Sequence, residues 1–177
     1  MNGRVMAGVD RNFETITIRL RSTADLAGAR RQLHAGLALA GVGERDADDA
    51  VLAVCELLTN ALEAADPDST VTAVASVSDH PRTHHGARRI EVEIINIGEP
   101  LPGRLEVDGT AGVAPQRVRG RGLVLAARMG DVTVEGLIGG TRARFRRVAE
   151  DDPGETDPGE TDPGETDLGA STGTDTR

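Results

Sequence analysis

Lysine is absent from this chain: all twenty basic side chains are arginine. That excludes a Walker-type phosphate loop, which needs its lysine, and a Schiff-base lysine. Cysteine occurs once, at Cys55, so the chain holds no internal disulfide and no cysteine metal cluster, as expected for a reducing compartment. Tryptophan and tyrosine are missing, and Phe13 and Phe145 are the only aromatics, which removes base-stacking platforms. No apolar run approaches the length of a membrane span, and no N-terminal stretch has the apolar segment of a signal peptide. A soluble, cytoplasmic protein is the expectation.

What is present is unevenly placed. Of 29 acidic side chains, ten lie in residues 149–177 against a single Arg177. Residues 1–148 carry 19 acids and 19 arginines, so the body is neutral and lacks the basic footprint of a nucleic-acid-binding protein. The unit DPGET occurs three times in register, at 152–156, 157–161 and 162–166. An acidic Pro/Gly repeat has too little apolar surface to bury a core, so 149–177 is expected to be a disordered tail. Residues 1–11 read as a flexible terminus, leaving 12–148 as one domain.

That domain is organised around Asp46–Ala65. Ala50, Val54, Leu57, Ala61 and Ala65 recur at helical spacing, with Val51, Leu58 and Leu62 widening the apolar stripe. Asp46 is the expected N-cap and Pro67 the stop. Beside the stripe run Leu52, Glu56, Asn60 and Glu63, so Glu56 and Asn60 point the same way at the edge of the core. Such a carboxylate can polarise a hydroxyl, and the carboxamide can offer oxygen to a hard cation. Flank residues of this kind are also found simply solvated, and the helix alone does not separate the two. Cys55, in the same helix, reads as a small buried thiol.

The remaining pattern alternates strands with two more helices. Strands are expected at 13–20, 70–78 and 89–96, with a closing hairpin of 131–137 and 141–148 around Ile138-Gly139-Gly140. Helices are expected at 25–40, capped by Ser22 or Thr23, and at 122–129. Residues 97–119, with Pro100, Pro102 and Pro115, show little periodicity and read as a long connection or lid. His84 and His85 are adjacent, a poor metal spacing without acidic neighbours, and His34 reads as a surface histidine.

Three further groups accompany the Glu56/Asn60 pair. Asn96-Ile97-Gly98 delivers a polar amide at the end of a buried strand, with a glycine for close approach. Arg119-Gly120-Arg121-Gly122 opens a helix, where free N–H groups, the helix dipole and two guanidinium groups suit phosphate. Gly139-Gly140-Thr141 sets a hydroxyl at a strand start.

In their order and spacing these groups resemble the boxes of the histidine-kinase-like ATPases, the Bergerat fold. Glu56-Leu-Leu-Thr-Asn60 matches that family's E-x-x-x-N; Gly120-Arg-Gly122-Leu123 matches G-x-G-L; Gly140-Thr141 matches the final G-T. Asn96-Ile-Gly98-Glu-Pro100 stands where D-x-G-x-G is usual, with asparagine for the aspartate and Pro100 for the second glycine. The stretch from Ala29 through Ala61 is similar to the stand-alone anti-sigma regulatory factors with serine/threonine kinase activity.

The resemblance implies a two-layer α/β (α+β) sandwich, a mixed β-sheet with helices packed on one face. It implies ATP and Mg²⁺ as cofactors. Glu56 would be the catalytic base and Asn60 the Mg²⁺ ligand. Asn96, Gly98, Arg119, Gly120, Arg121, Gly122, Leu123 and Thr141 would complete the nucleotide site. The implied partners are a sigma factor and an anti-anti-sigma antagonist phosphorylated on serine or threonine, with no direct nucleic acid, no membrane, and a homodimer as relatives commonly form. A second reading keeps the fold and partner binding but performs no transfer: Glu56 and Asn60 favour the kinase, Asn96 and Pro100 the binding module. Deleting 150–177 is expected to leave the melting temperature and nucleotide binding unchanged, since the repeat adds nothing to the core. A lower melting temperature in the truncated protein would contradict this division of the chain.

Overall fold

The computed structural model describes residues 14–80, 87–110 and 121–149. The expected flexible terminus, the acidic tail, the His84/His85 pair and the second half of the long connection lie outside these residues. The elements run β1 (Glu14–Leu20), α1 (Leu26–Leu39), α2 (Glu44–Ala64), β2 (Val71–Asp79), β3 (Arg88–Ile97), β4 (Arg104–Val107), α3 (Arg121–Met129), β5 (Asp131–Leu137) and β6 (Gly140–Ala149). The strands form one sheet in the order β1-β2-β3-β6-β5-β4.

Alternation along each strand decides which face is covered. Ile18, Ala73, Ile94, Ala143 and Val134 share one row across the five longer strands, and Leu20 with Val71 and Val92 with Phe145 and Val132 fill the neighbouring rows. All of these side chains are buried, and they meet Leu33 and Leu37 of α1 and Val51, Val54, Leu57 and Leu58 of α2. Among the described residues the opposite face has no such cover and carries ion pairs instead, with Glu93 between Arg142 and Arg144, Arg142 also on Glu135, and Arg146 on Glu91. The two-layer sandwich with helices on one face is therefore as expected. The sheet itself differs: every strand pair is antiparallel, so it is not mixed. Tight turns and long returns both join antiparallel neighbours here, and among the described residues no strand has a parallel partner.

Two local expectations are also corrected. The stretch 97–119 contains β4, whose Val107 turns toward the core while Arg104 and Glu106 pair with Glu135 and Thr133 on the outer face. Four residues between prolines are too few to show a period. Asp46 does not cap α2, which starts from Gly43. Its carboxylate instead accepts from Arg147 Nε at 2.8 Å. Arg147 occupies a core-facing position of β6, and its Nη2 also donates to Asp49 at 2.8 Å and its Nη1 to the Met129 carbonyl at 2.6 Å. At the start of α1, by contrast, Asp25 accepts from the N–H groups of Arg21 and Ser22, which hold its carboxyl below the ordinary value.

Burial separates two helical leucines that look alike in sequence. Leu57 is 1% exposed in the middle of the core, and Leu39 is 80% exposed at the end of α1. Leu57→Ala is expected to cost about 2–5 kcal/mol through lost transfer energy and a cavity. Leu39→Ala should stay within about 0.5 kcal/mol. Equal losses in urea unfolding would mean that α2 is not the centre of the core.

Candidate functional site

The site begins on α2, where eight residues of the apolar stripe are buried and the flank is not. Glu56 and Asn60 are both half-buried, one turn apart. Facing them is the first turn of α3. A Cβ placed on Gly122 would lie 2.5 Å from Glu56 Oε2, 3.3 Å from Glu56 Cβ and 3.3 Å from Asn60 Nδ2. A side chain here would have to displace the Glu56 carboxylate and would sit tight against Glu56 Cβ and Asn60, so glycine lets the start of α3 lie close to this pair. Asn60 Nδ2 is buried there without a hydrogen-bond partner among the described residues. An orphaned buried amide is costly and marks a place where a partner belongs. Turning the carboxamide over exchanges Nδ2 with Oδ1, so the same side chain can present a donor or a hard oxygen.

The second half of the site is where β3 ends. Asn96, 3% exposed, sits on the core face directly opposite Thr141 of β6, 8% exposed; these are the buried polar residues of the described structure. Asn96 Nδ2 donates to the Ala64 carbonyl at 3.5 Å, close to the limit of a hydrogen bond. That carbonyl is one of the last of α2 and has no partner within its own helix. Gly98 reaches the same place: it forms a bridge with Ala65, and a Cβ on it would collide with the Ala64 carbonyl oxygen. The Asp66 N–H donates to the Ile97 carbonyl at 2.8 Å and completes the seam. The end of β3 is thus stitched to the end of α2, one turn beyond Asn60.

Of the residues singled out in the sequence, Glu56, Asn60 and Gly122 come together at one point. Asn96, Gly98 and Thr141 gather at a second, next along α2. Leu123 packs against the core from α3, and Arg121 is exposed at the first position of that helix. Arg119 and Gly120 lie outside the described residues. Among the described residues no cluster of three His, Cys, Asp or Glu side chains could hold a metal by itself. A magnesium ion brought in by phosphates does not need one, since it keeps several waters and takes few protein ligands. Cys55, between α1 and α2, has its thiol pushed up by burial, with Arg30 opposing, which fits an inert thiol. The sequence reading missed Arg147, though its parity with Thr141, Ala143 and Phe145 on β6 was a signal that it faces the helices.

Comparison with known proteins gives two results. Residues 20–147 match the family profile of the histidine kinase-like ATPase domain. The crystal structure of the RsbU and RsbW domains of Rv1364c from Mycobacterium tuberculosis superposes with a TM-score of 0.50 at 19% identity. That superposition covers 76% of this chain and 33% of the other, so this chain spans about a third of that one, and the likeness concerns the fold. No curated protein matches the sequence.

The closeness of α3 to α2 can be tested with two glycines. A Cβ on Gly28, in α1, would meet nothing within 4 Å. Gly28→Ala is therefore expected to stabilise by about 0.5–1 kcal/mol, the ordinary helix gain. Gly122→Ala receives the same helix gain but meets Glu56 and Asn60, and overpacking costs about 1–3 kcal/mol. It should be neutral to destabilising in urea unfolding. A stabilisation equal to that of Gly28→Ala would show that α3 does not rest on the Glu56/Asn60 pair.

Proposed function

Because the chain belongs to the histidine kinase-like ATPase domain family, which implies ATP binding, we propose that it is an ATP- and magnesium-dependent switch of the anti-sigma type. In this reading it sequesters a sigma factor and phosphorylates a serine or threonine of the antagonist that releases it. The observation that carries the proposal is the seating of Gly122 against Glu56 and the unpartnered amide of Asn60. Three residues from two boxes distant in sequence meet there, and one of them lacks a partner.

The residues fit a magnesium nucleotide. Asn60 would hold the metal through its carboxamide oxygen. The N–H groups at the start of α3, with Arg121 beside them, would hold phosphate. Asn96 would accept from the adenine amino group with the carboxamide oxygen that its bond to Ala64 leaves over, and Thr141 opposite can donate or accept. Bound there, the nucleotide supplies the phosphoryl group, and the metal offsets its charge. Glu56 has the part that belongs to this chain: its carboxylate takes the proton of the incoming hydroxyl. It is half-buried, and its carboxylate lies where a side chain on Gly122 would be.

The second reading is a binding module that sequesters its partner without transfer. Asn96 is the observation in its favour. A neutral acceptor gives about 1 kcal/mol where a charged one gives about 1.5–3, roughly a tenfold difference in affinity. That is enough to weaken nucleotide binding and too little to abolish it.

Magnesium-ATP should raise the melting temperature of the wild type, because only the native state binds it, and Asn60→Ala should remove the magnesium-dependent part. Glu56→Gln keeps the shape and an acceptor oxygen while removing the base. It should still bind ATP and the sigma factor, yet label the antagonist at least a hundredfold more slowly, since a general base contributes about 10²- to 10⁴-fold. A wild type that captures a sigma factor but labels no antagonist would put the binding module first. No thermal shift at millimolar ATP would remove the cofactor.

A further inference from the structure

The far end of α3 is held by one side chain. Arg147 reaches from β6 into the layer between sheet and helices with 17% of its side chain exposed. Its Nη1 donates to the carbonyl of Met129, the last residue of α3, at 2.6 Å. Its Nε donates to Asp46 at 2.8 Å and its Nη2 to Asp49 at 2.8 Å, both in the opening turns of α2. The guanidinium therefore lies between the carboxylates at the positive end of one helix dipole and the carbonyls at the negative end of another. It satisfies a carbonyl that α3 cannot satisfy internally.

Two contact points then fix how α3 lies on α2. Gly122 is opposite Glu56, and Met129 is tied beside Asp49. Seven residues separate the two points on each helix, so the helices run antiparallel in one register, and about 10 Å of helix lies between the points. Apolar packing holds α3 on α2 through Ala126, the one fully buried residue of α3, and the partly buried Leu123, Ala127 and Met129. These contacts are without direction, whereas the guanidinium adds three directed partners at the end of the helix.

We propose that Arg147, with Asp46 and Asp49, is a positioning device for the nucleotide site: it sets the tilt and register of α3 and so holds Gly122 on the Glu56/Asn60 pair. The proposal rests on the nucleotide reading of that site and adds a residue remote from it. Arg147 touches no proposed ligand group and acts through α3.

The test uses the full chain. Arg147→Met keeps an unbranched stem about as far as Nε and removes all three donors; Leu33→Ala, in the core of α1, lowers stability without touching α3 and serves as a control. Amide hydrogen exchange and titration with magnesium-ATP are measured well below both melting temperatures. In Arg147→Met, exchange across Leu125–Met129 should quicken at least tenfold relative to α1, and the Kd for ATP should rise at least tenfold. Leu33→Ala should leave the Kd within twofold. Unchanged exchange in α3 would overturn the latch. Faster exchange in α3 with an unchanged Kd would make Arg147 a stabilising residue only and overturn its positioning role. A wild type that binds no ATP would instead remove the nucleotide reading, while the exchange contrast would still report whether the latch exists. If Arg147→Met does not fold, Asp46→Asn, which keeps shape and an acceptor, is judged by the same two measurements.

Discussion

A helix that carries a site on its flank must be held from two sides at once, and α2 is held that way. Its apolar stripe is fixed by the sheet and α1, where Leu57, Leu58, Val51 and Val54 are almost fully buried. Its polar flank is fixed by α3, through Gly122 at one end and Arg147 at the other. The first contact is dispersion and the hydrophobic effect, which are strong and without direction. The second is a close backbone approach and a charged hydrogen-bonded pair, which are directional. Rigid placement of Glu56 and Asn60 depends on having both. A wider apolar stripe on α2 would bury α3 more firmly but leave no flank for a carboxylate.

The parts legible in the sequence were those with a period or a stop. The stripe of α2, the alternation of β1, β2 and β3 and the hairpin turn around Ile138-Gly139-Gly140 could be read directly, because periods of 3.6 and 2 and the turn residues are local properties. The pairing of Glu56 with Asn60 was legible for the same reason. Strand direction was not, since nothing in a strand's own pattern says which neighbour it will find. Four residues of β4 were too few to show alternation. Asp46 illustrates a different failure. An acidic residue before an apolar run satisfies the rule for a cap, but Arg147, 101 positions away, binds its carboxylate and the helix starts earlier from Gly43. Tertiary chemistry overrode the local preference.

Glycine was read correctly as a marker and incompletely as a cause. Gly98 belongs to the box that resembles an adenine-reading motif. In the fold it is also required where β3 meets the last turn of α2, since a side chain there would strike the Ala64 carbonyl. Gly122 belongs to a phosphate-type box, and in the fold it is also the contact between α3 and the Glu56/Asn60 pair. In both cases the residue that would admit a ligand also brings two elements together. A single substitution at either position therefore perturbs packing and site jointly, and loss of binding alone does not identify a ligand contact.

Asn96 shows how the same coupling bears on chemistry. It is nearly inaccessible, and its amide points at the Ala64 carbonyl, at the negative end of the α2 dipole. An asparagine meets this neighbour with a donor. An ionised aspartate would meet it with a second negative group in a place where water cannot screen the repulsion, and would depend on a ligand or water to offset the burial of its charge. The neutral residue is therefore well matched to the carbonyl it meets. On the nucleotide reading its cost would fall on the bound state, where a carboxamide oxygen would accept more weakly than a carboxylate. On the nucleotide reading, position 96 would trade ligand affinity for stability of the seam between β3 and α2, which lies one turn beyond Asn60 and two beyond Glu56 along the helix.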